Sequence, residues 1–88
     1  MKEIRFSDHA QLKMEVLASH EISIDPNFVI ETVRSQDLLE TGEVDKLIAQ
    51  KRLDENLVLR VVYREFNAFI LIVTLYPGRR SRYEKDYL

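Results

Sequence analysis

The chain of 88 residues contains no cysteine. That excludes a disulfide framework and a thiolate zinc site, and it permits a reducing cytosol. Glycine is nearly as scarce, with only Gly42 and Gly78, so a glycine-rich phosphate loop is excluded. Neither a Ser-centred nucleophile elbow nor a His-Glu-x-x-His motif occurs, which sets aside phosphate-loop nucleotide hydrolysis and zinc-peptidase chemistry. His9 and His20 stand eleven residues apart, too far along one helix to share a metal, so neither a metal nor a cofactor is expected. No apolar run approaches the ~20 residues that cross a bilayer, and MKEIRFSDHA lacks the apolar core of a signal peptide. These absences predict one soluble cytoplasmic domain, residues 1–88, without a membrane partner.

Strong basicity is missing too, because the net charge is -2. The charge is uneven: residues 1–50 carry -5 and residues 51–88 carry +3. Both expected helices fall in the acidic half, which leaves a DNA binder without a basic recognition helix. The basic half permits local attraction to phosphate or to an acidic partner.

Strand signals are strongest at Leu57 to Tyr76. Two alternating segments rich in Val, Ile, Tyr, Phe and Thr flank a polar break at Glu65 to Ala68, which reads as a β-hairpin. If Glu65 opposes Phe69, then Leu57, Leu59, Val61 and Tyr63 share the core face with Phe69, Leu71, Val73 and Leu75. The other face then carries Val58, Arg60, Val62, Arg64, Ile70, Ile72, Thr74 and Tyr76, with Arg60 beside Thr74.

Upstream, residues 3–6 alternate as a short strand, and Ser7 has the hydroxyl of a helix N-cap. A helix follows to about Ser19, with Ala10, Met14 and Leu17 on one stripe and His9, Leu12, Lys13, Val16 and His20 on the next; Leu12 and Val16 are expected to pack inward. Asp25-Pro26 starts a second helix. Leu38 and Leu39 are expected to re-enter the core, and Thr41-Gly42-Glu43 to turn. Lys46 to Leu53 alternates and should pair with the hairpin, Gln50 opposite Arg60, although Lys51 then points awkwardly to the core side. Pro77-Gly78 is expected to stop the last strand, leaving residues 79–88 as a basic, aromatic tail, either a short helix or disordered. The order predicts an α+β fold: a short N-terminal strand, then two helices packed on one face of an antiparallel sheet of three to four strands.

This arrangement gathers His9 and Lys13 on the first helix and Arg52, Arg60, Arg64, Thr74 and Tyr76 on the sheet, with Arg79 and Arg80 in the tail. RNA cleavage by its own 2′-hydroxyl needs an acid, a base and cations around phosphate, and no metal. Histidine titrates near neutrality, arginine forks grip phosphate, and a tyrosine ring stacks on a base. The plainer account makes His9 a capping or surface residue and the arginines a solvated face. Arg60, inside the most apolar segment, needs a partner or a ligand. Ile48, Val58, Val62, Ile70 and Ile72 make the outer face half apolar, so a partner protein, a second copy or the tail should cover it.

The runs SDHAQLKM, ISIDPNFVIETV, LRVVYRE and IVTLYPGRRSRY resemble the small prokaryotic domain-of-unknown-function family 4258 over nearly the whole chain. Its pattern is His-Ala, Arg-Met, an Arg-Gly-Ile-Ser turn, a helix, then strands bearing Arg-Val-Val-Tyr and Val-Thr-Val-Tyr-Pro. The resemblance implies a fold of the RelE and ParE toxin type and a link to toxin-antitoxin systems. His9, Arg60, Tyr63, Thr74, Tyr76 and Pro77 match directly. Lys13 stands where arginine is usual, and His20-Glu21-Ile22-Ser23 replaces the glycine-containing turn. The expected function is a toxin-like, metal-independent ribonuclease with His9, Lys13, Arg60 and Thr74 at the chemistry and Arg52, Arg64, Tyr76, Arg79 and Arg80 on the RNA. The alternative is a non-catalytic protein-binding or regulatory module of the same fold. The partners so implied are RNA and an antitoxin protein, or a homodimer through the outer sheet face.

Overall fold

Alternation at the amino terminus produces strand β1 (Glu3–Phe6), and Ser7 ends it. The Ser7 hydroxyl accepts from the Ala10 N–H at 3.0 Å, satisfying one of the donors that every helix start leaves unpaired. That begins α1 (Asp8–Ser19) in a computed structural model that describes residues 2–84. Ala10 and Leu17 face the core, whereas Leu12 and Val16, expected inside, are 56% and 44% exposed. The narrower stripe of Ala10, Met14 and Leu17 suffices to seat the helix.

Termination of α1 forces an unusual backbone. The Ile22 N–H reaches back to the Leu17 carbonyl at 2.9 Å and the Glu21 N–H to that of Ala18 at 3.0 Å, which requires a left-handed residue between them. Glu21 takes that conformation, with φ 66°. It stands where the Arg-Gly-Ile-Ser pattern has glycine, the residue for which this φ carries no steric cost. After Ile24, which is buried, Asp25 caps α2 (Pro26–Arg34) through the Asn27 N–H at 2.8 Å. Val29, Thr32 and Val33 form its buried face.

The fold class is α+β. The strands β2 (Leu38–Thr41), β3 (Leu47–Arg52), β4 (Leu57–Glu65) and β5 (Phe69–Arg79) join β1 in one sheet of order β1-β5-β4-β3-β2. The sheet therefore has five strands rather than three or four, and it is mixed, since β1 runs parallel to β5. Leu38 and Leu39 form part of an edge strand instead of entering the core, and Leu39 is 45% exposed. Gln50 opposes Arg60, and Lys51 resolves its placement by donating to the Ser35 carbonyl at 2.9 Å.

The hairpin register differs from expectation. Glu65 opposes Ile70, not Phe69, across a longer loop, and a β-bulge at Val73 then shifts the ladder so that Val62 opposes Thr74 and Arg60 opposes Tyr76. The extra residue keeps Ile70 and Ile72 on the same face as Leu75. Ile70 and Ile72 thus join Leu59, Val61, Tyr63 and Ala49 against α1 and α2, while Leu71 turns outward. The bulge leaves the Val73 carbonyl outside the ladder, and the Ser7 hydroxyl donates to it at 2.8 Å. Core, α1 and α2 occupy one side of the sheet, and Arg60 lies on the other.

A glycine at position 21 should relieve the left-handed strain. Glu21 is exposed and makes no side-chain hydrogen bond or ion pair among the described residues, so Glu21→Gly is expected to stabilise the chain by up to ~1 kcal/mol, read as a higher midpoint in thermal or urea unfolding.

Candidate functional site

Alternation along β4 puts Arg60 between Leu59 and Val61 and aims it away from α1 and α2. Only 4% of it is exposed. A buried guanidinium must have its donors met, and three strands meet them. Nε donates to the Tyr76 hydroxyl of β5 at 2.9 Å, one terminal nitrogen to Gln50 Oε1 of β3, and the other to Glu40 Oε2 of β2 at 3.0 Å. The Tyr83 ring covers the group, its centroid 4.3 Å from Cζ. Burial alone would lower the Arg60 pKa, but its hydrogen bonds to Glu40 and Tyr76 and their charges outweigh it and raise the pKa above its ordinary value. The guanidinium stays charged.

Tyr83 arrives there because the last strand does not stop at Pro77. Strand β5 runs on to Arg79, since β1 accompanies it only as far as Ile72. Beyond that point β5 is an edge on this side, where a missing proline N–H removes no ladder bond. Gly78 then provides a flat surface for the returning chain, the single turn α3 (Arg80–Tyr83). A Cβ on Gly78 would stand 2.3 Å from a ring carbon of Tyr83.

The next residue, Glu84, is 1% exposed and lies between two arginines. Its Oε2 accepts from Arg52 Nε at 2.9 Å and its Oε1 from Arg80 Nε at 2.8 Å. Desolvation pushes the Glu84 pKa up, but the two arginine hydrogen bonds and the arginine charges overcome it and hold the carboxyl below the ordinary glutamate value.

The residues singled out in the sequence divide between two layers. Arg60, Tyr76, Arg52 and Arg80 come together on the outer face. Thr74 shares that face, opposite Val62 and diagonal to Arg60. Arg64 opposes Leu71 nearer the hairpin tip, its Cζ 5.1 Å from the Phe66 ring and its buried Nε without a hydrogen-bond partner. Arg79 is exposed at the end of β5. His9 and Lys13 lie on α1, which packs on β5 from the core side, so the sheet separates them from the Arg60 head. The first turn of α1 nevertheless stands at the open β5 edge, where Ser7 bonds Ile72 and Val73.

Glu40, Gln50, Gly78, Tyr83 and Glu84 escaped the sequence reading. Gln50 could have been found, because it was already placed opposite Arg60 and a buried cation needs acceptors. Glu84 gave no signal within a charged tail. Of the apolar residues expected on the outer face, Ile70 and Ile72 belong to the core and Val58 is fully buried opposite Gly78. Ile48 and Val62 remain half-buried there with Leu71. Among the described residues, no three His, Cys, Asp or Glu side chains gather as a metal site requires, and no helix is long and apolar enough to cross a membrane.

No protein-family model matches the chain, and no curated protein does. Among solved structures, the conserved hypothetical protein HP0894 of Helicobacter pylori is similar, with a TM-score of 0.50 at 17% identity over 92% of this chain and 97% of that one. At that identity the likeness is one of fold.

Two consequences can be measured. Gly78→Ala should push the Tyr83 ring off Arg60 and cost ~1–3 kcal/mol, the usual range for overpacking, seen as a lower melting temperature and shifted Tyr83 ring resonances. Because the folded Glu84 pKa is lowered, its contact contributes stability above the ordinary value of 4.5 and loses it as the pH falls further. Acidification should therefore destabilise the wild type more than Glu84→Gln, the two melting curves converging at low pH.

Proposed function

We propose that the chain is a toxin-like, metal-independent ribonuclease of a toxin-antitoxin type system, working on RNA laid across the sheet face opposite α1 and α2. The observation that carries this reading is the convergence on that face of Arg52, Arg60 and Arg80 with the rings of Tyr76 and Tyr83. Attack by a 2′-hydroxyl builds negative charge on the phosphorus oxygens, and fixed guanidinium groups stabilise it without a metal. Unpaired bases stack on aromatic rings. The family resemblance and the net +3 of residues 51–88 support the same assignment. RNA crossing the open β5 edge beside Thr74 would meet the first turn of α1, which gives His9 the proton transfer and Lys13 a phosphate contact.

One observation favours a second reading, a non-catalytic protein-binding module. All three nitrogens of the Arg60 guanidinium are engaged within the chain, as a purely structural cation would be. The half-buried Ile48, Val62 and Leu71 then serve an antitoxin or a second copy.

Incubating purified protein with single-stranded RNA in the presence of EDTA separates the two. The ribonuclease reading expects cleavage to persist in EDTA and to fall by about 10²-fold in His9→Ala, the usual contribution of an acid-base group. Circular dichroism should be unchanged, since His9 is exposed. A wild type that neither cuts RNA nor slows growth when expressed alone would remove the enzyme. Loss of self or partner association in Val62→Glu would then establish the module.

A further inference from the structure

The Glu84 carboxylate sits as a bound anion would. Each oxygen takes one arginine Nε, at 2.8 Å from Arg80 and 2.9 Å from Arg52, which is how two guanidinium groups bridge two oxygens of a phosphate. From this geometry, and resting on the RNA reading above, we propose that Arg52 and Arg80 form a phosphate-binding site that the chain's own Glu84 fills, so that RNA must displace Glu84 to occupy the face.

Arg80 is held independently of Glu84 through its side chain and backbone, and Arg52 at its backbone. The Arg80 backbone N–H bonds the Asn56 carbonyl and its Nη1 the Glu55 carbonyl, each at 2.9 Å. That turn is itself fixed by Asp54, whose carboxylate accepts from the N–H groups of Asn56 and Leu57 at 2.7 and 2.8 Å. Arg52 is anchored through its own N–H to Asp37 at 3.0 Å. Withdrawing the carboxylate therefore removes one anion from between Arg52 and Arg80 while the turn that carries Arg80 stays fixed.

Glu84 itself is lightly tethered. It follows a helix of four residues, and among the described residues its backbone makes one bond, N–H to the Arg80 carbonyl at 2.8 Å. A single turn has little stability of its own. Access favours exchange as well, because the Arg52 and Arg80 side chains are 50% and 27% exposed while Glu84 is 1% exposed. An incoming anion meets the cations from the solvent side. A depression of about 480 Å³ lined by Glu55, Asn56, Leu57, Arg79, Arg80 and Ser81 adjoins Arg80 and has room for a phosphodiester and its sugar. The charge of Glu84, kept by its two arginines, makes it a competitor at neutral pH. Removing it strips one negative charge from the slot.

The test measures binding of a 2′-O-methyl oligouridylate, which cannot be cleaved, to wild type, Glu84→Gln and the double variant Arg52→Gln/Glu84→Gln. Inorganic phosphate is titrated in parallel and followed by the Nε–Hε resonances of Arg52 and Arg80. Glu84→Gln should bind the oligonucleotide ~10-fold or more tightly, with a steeper salt dependence, and the double variant should lose the gain. Equal affinity in wild type and Glu84→Gln, or a gain that survives loss of Arg52, overturns the proposal. Wild type that cleaves RNA while Glu84→Gln binds no better keeps the ribonuclease and discards the filled site. Phosphate shifts in Glu84→Gln without oligonucleotide binding keep the anion site, assign it to free phosphate, and discard RNA. The wild type gives an independent reading should the variant misfold: saturating oligonucleotide must move the Glu84 carboxyl and Tyr83 ring resonances, and unmoved signals overturn displacement.

Discussion

A guanidinium buried in the middle of a sheet is tolerated only where the surrounding chain supplies acceptors, and much of this architecture follows from supplying them to Arg60. Its partners come from three other strands and from α3: Glu40 on β2, Gln50 on β3, Tyr76 on β5 and the Tyr83 ring. The contact gives the short, largely exposed strand β2 a link to the interior beyond its ladder with β3. It also accounts for the return of the chain after β5. Truncating Arg60 would remove a hydrogen bond from Glu40, Gln50 and Tyr76 at once, so a loss of function in such a variant would not separate chemistry from folding.

How far the fold was legible depended on whether a signal was local. Ser7 and Asp25 announced helix starts because a capping oxygen acts on the next few N–H groups, and both do so here. The pairing of Gln50 with Arg60 followed from a turn whose length was visible. The bulge at Val73 was not legible. Strict alternation assigns Phe69, Leu71, Val73 and Leu75 to one face, and an inserted residue is invisible to a period of two. Three-dimensional packing chose Ile70 and Ile72 with Leu75, and one extra residue reconciled them. Strand β2 was missed for a related reason: four residues at an edge carry too little pattern, and Glu40 contributes through its side chain rather than by burial.

The site divides along the same line. Arg60 was flagged because a cation flanked by Leu59 and Val61 violates burial, a violation readable in three letters. Tyr83 and Glu84 were not flagged because their roles exist only after β5 has passed Pro77 and the chain has turned back over Gly78. Proline and glycine ordinarily end strands, and here they act otherwise. The proline lies where no neighbouring strand asks for its N–H, and the missing Cβ of the glycine admits an aromatic ring.

Gly78, Tyr83 and Glu84 therefore act as one unit, and its physics connects fold to function. The ring on Gly78 covers Arg60 with carbon, where it strengthens the Glu40 and Gln50 bonds by excluding water. The carboxylate one residue on neutralises the two cations that flank the same face. On the RNA reading proposed above, the ring and the carboxylate would be exchanged for a ligand that offers the same two features. A nucleotide does so, with a base in place of the ring and a phosphate in place of the carboxylate. Under the RNA reading proposed above, the turn after β5 mimics, in the chain's own side chains, the base and phosphate that would displace it.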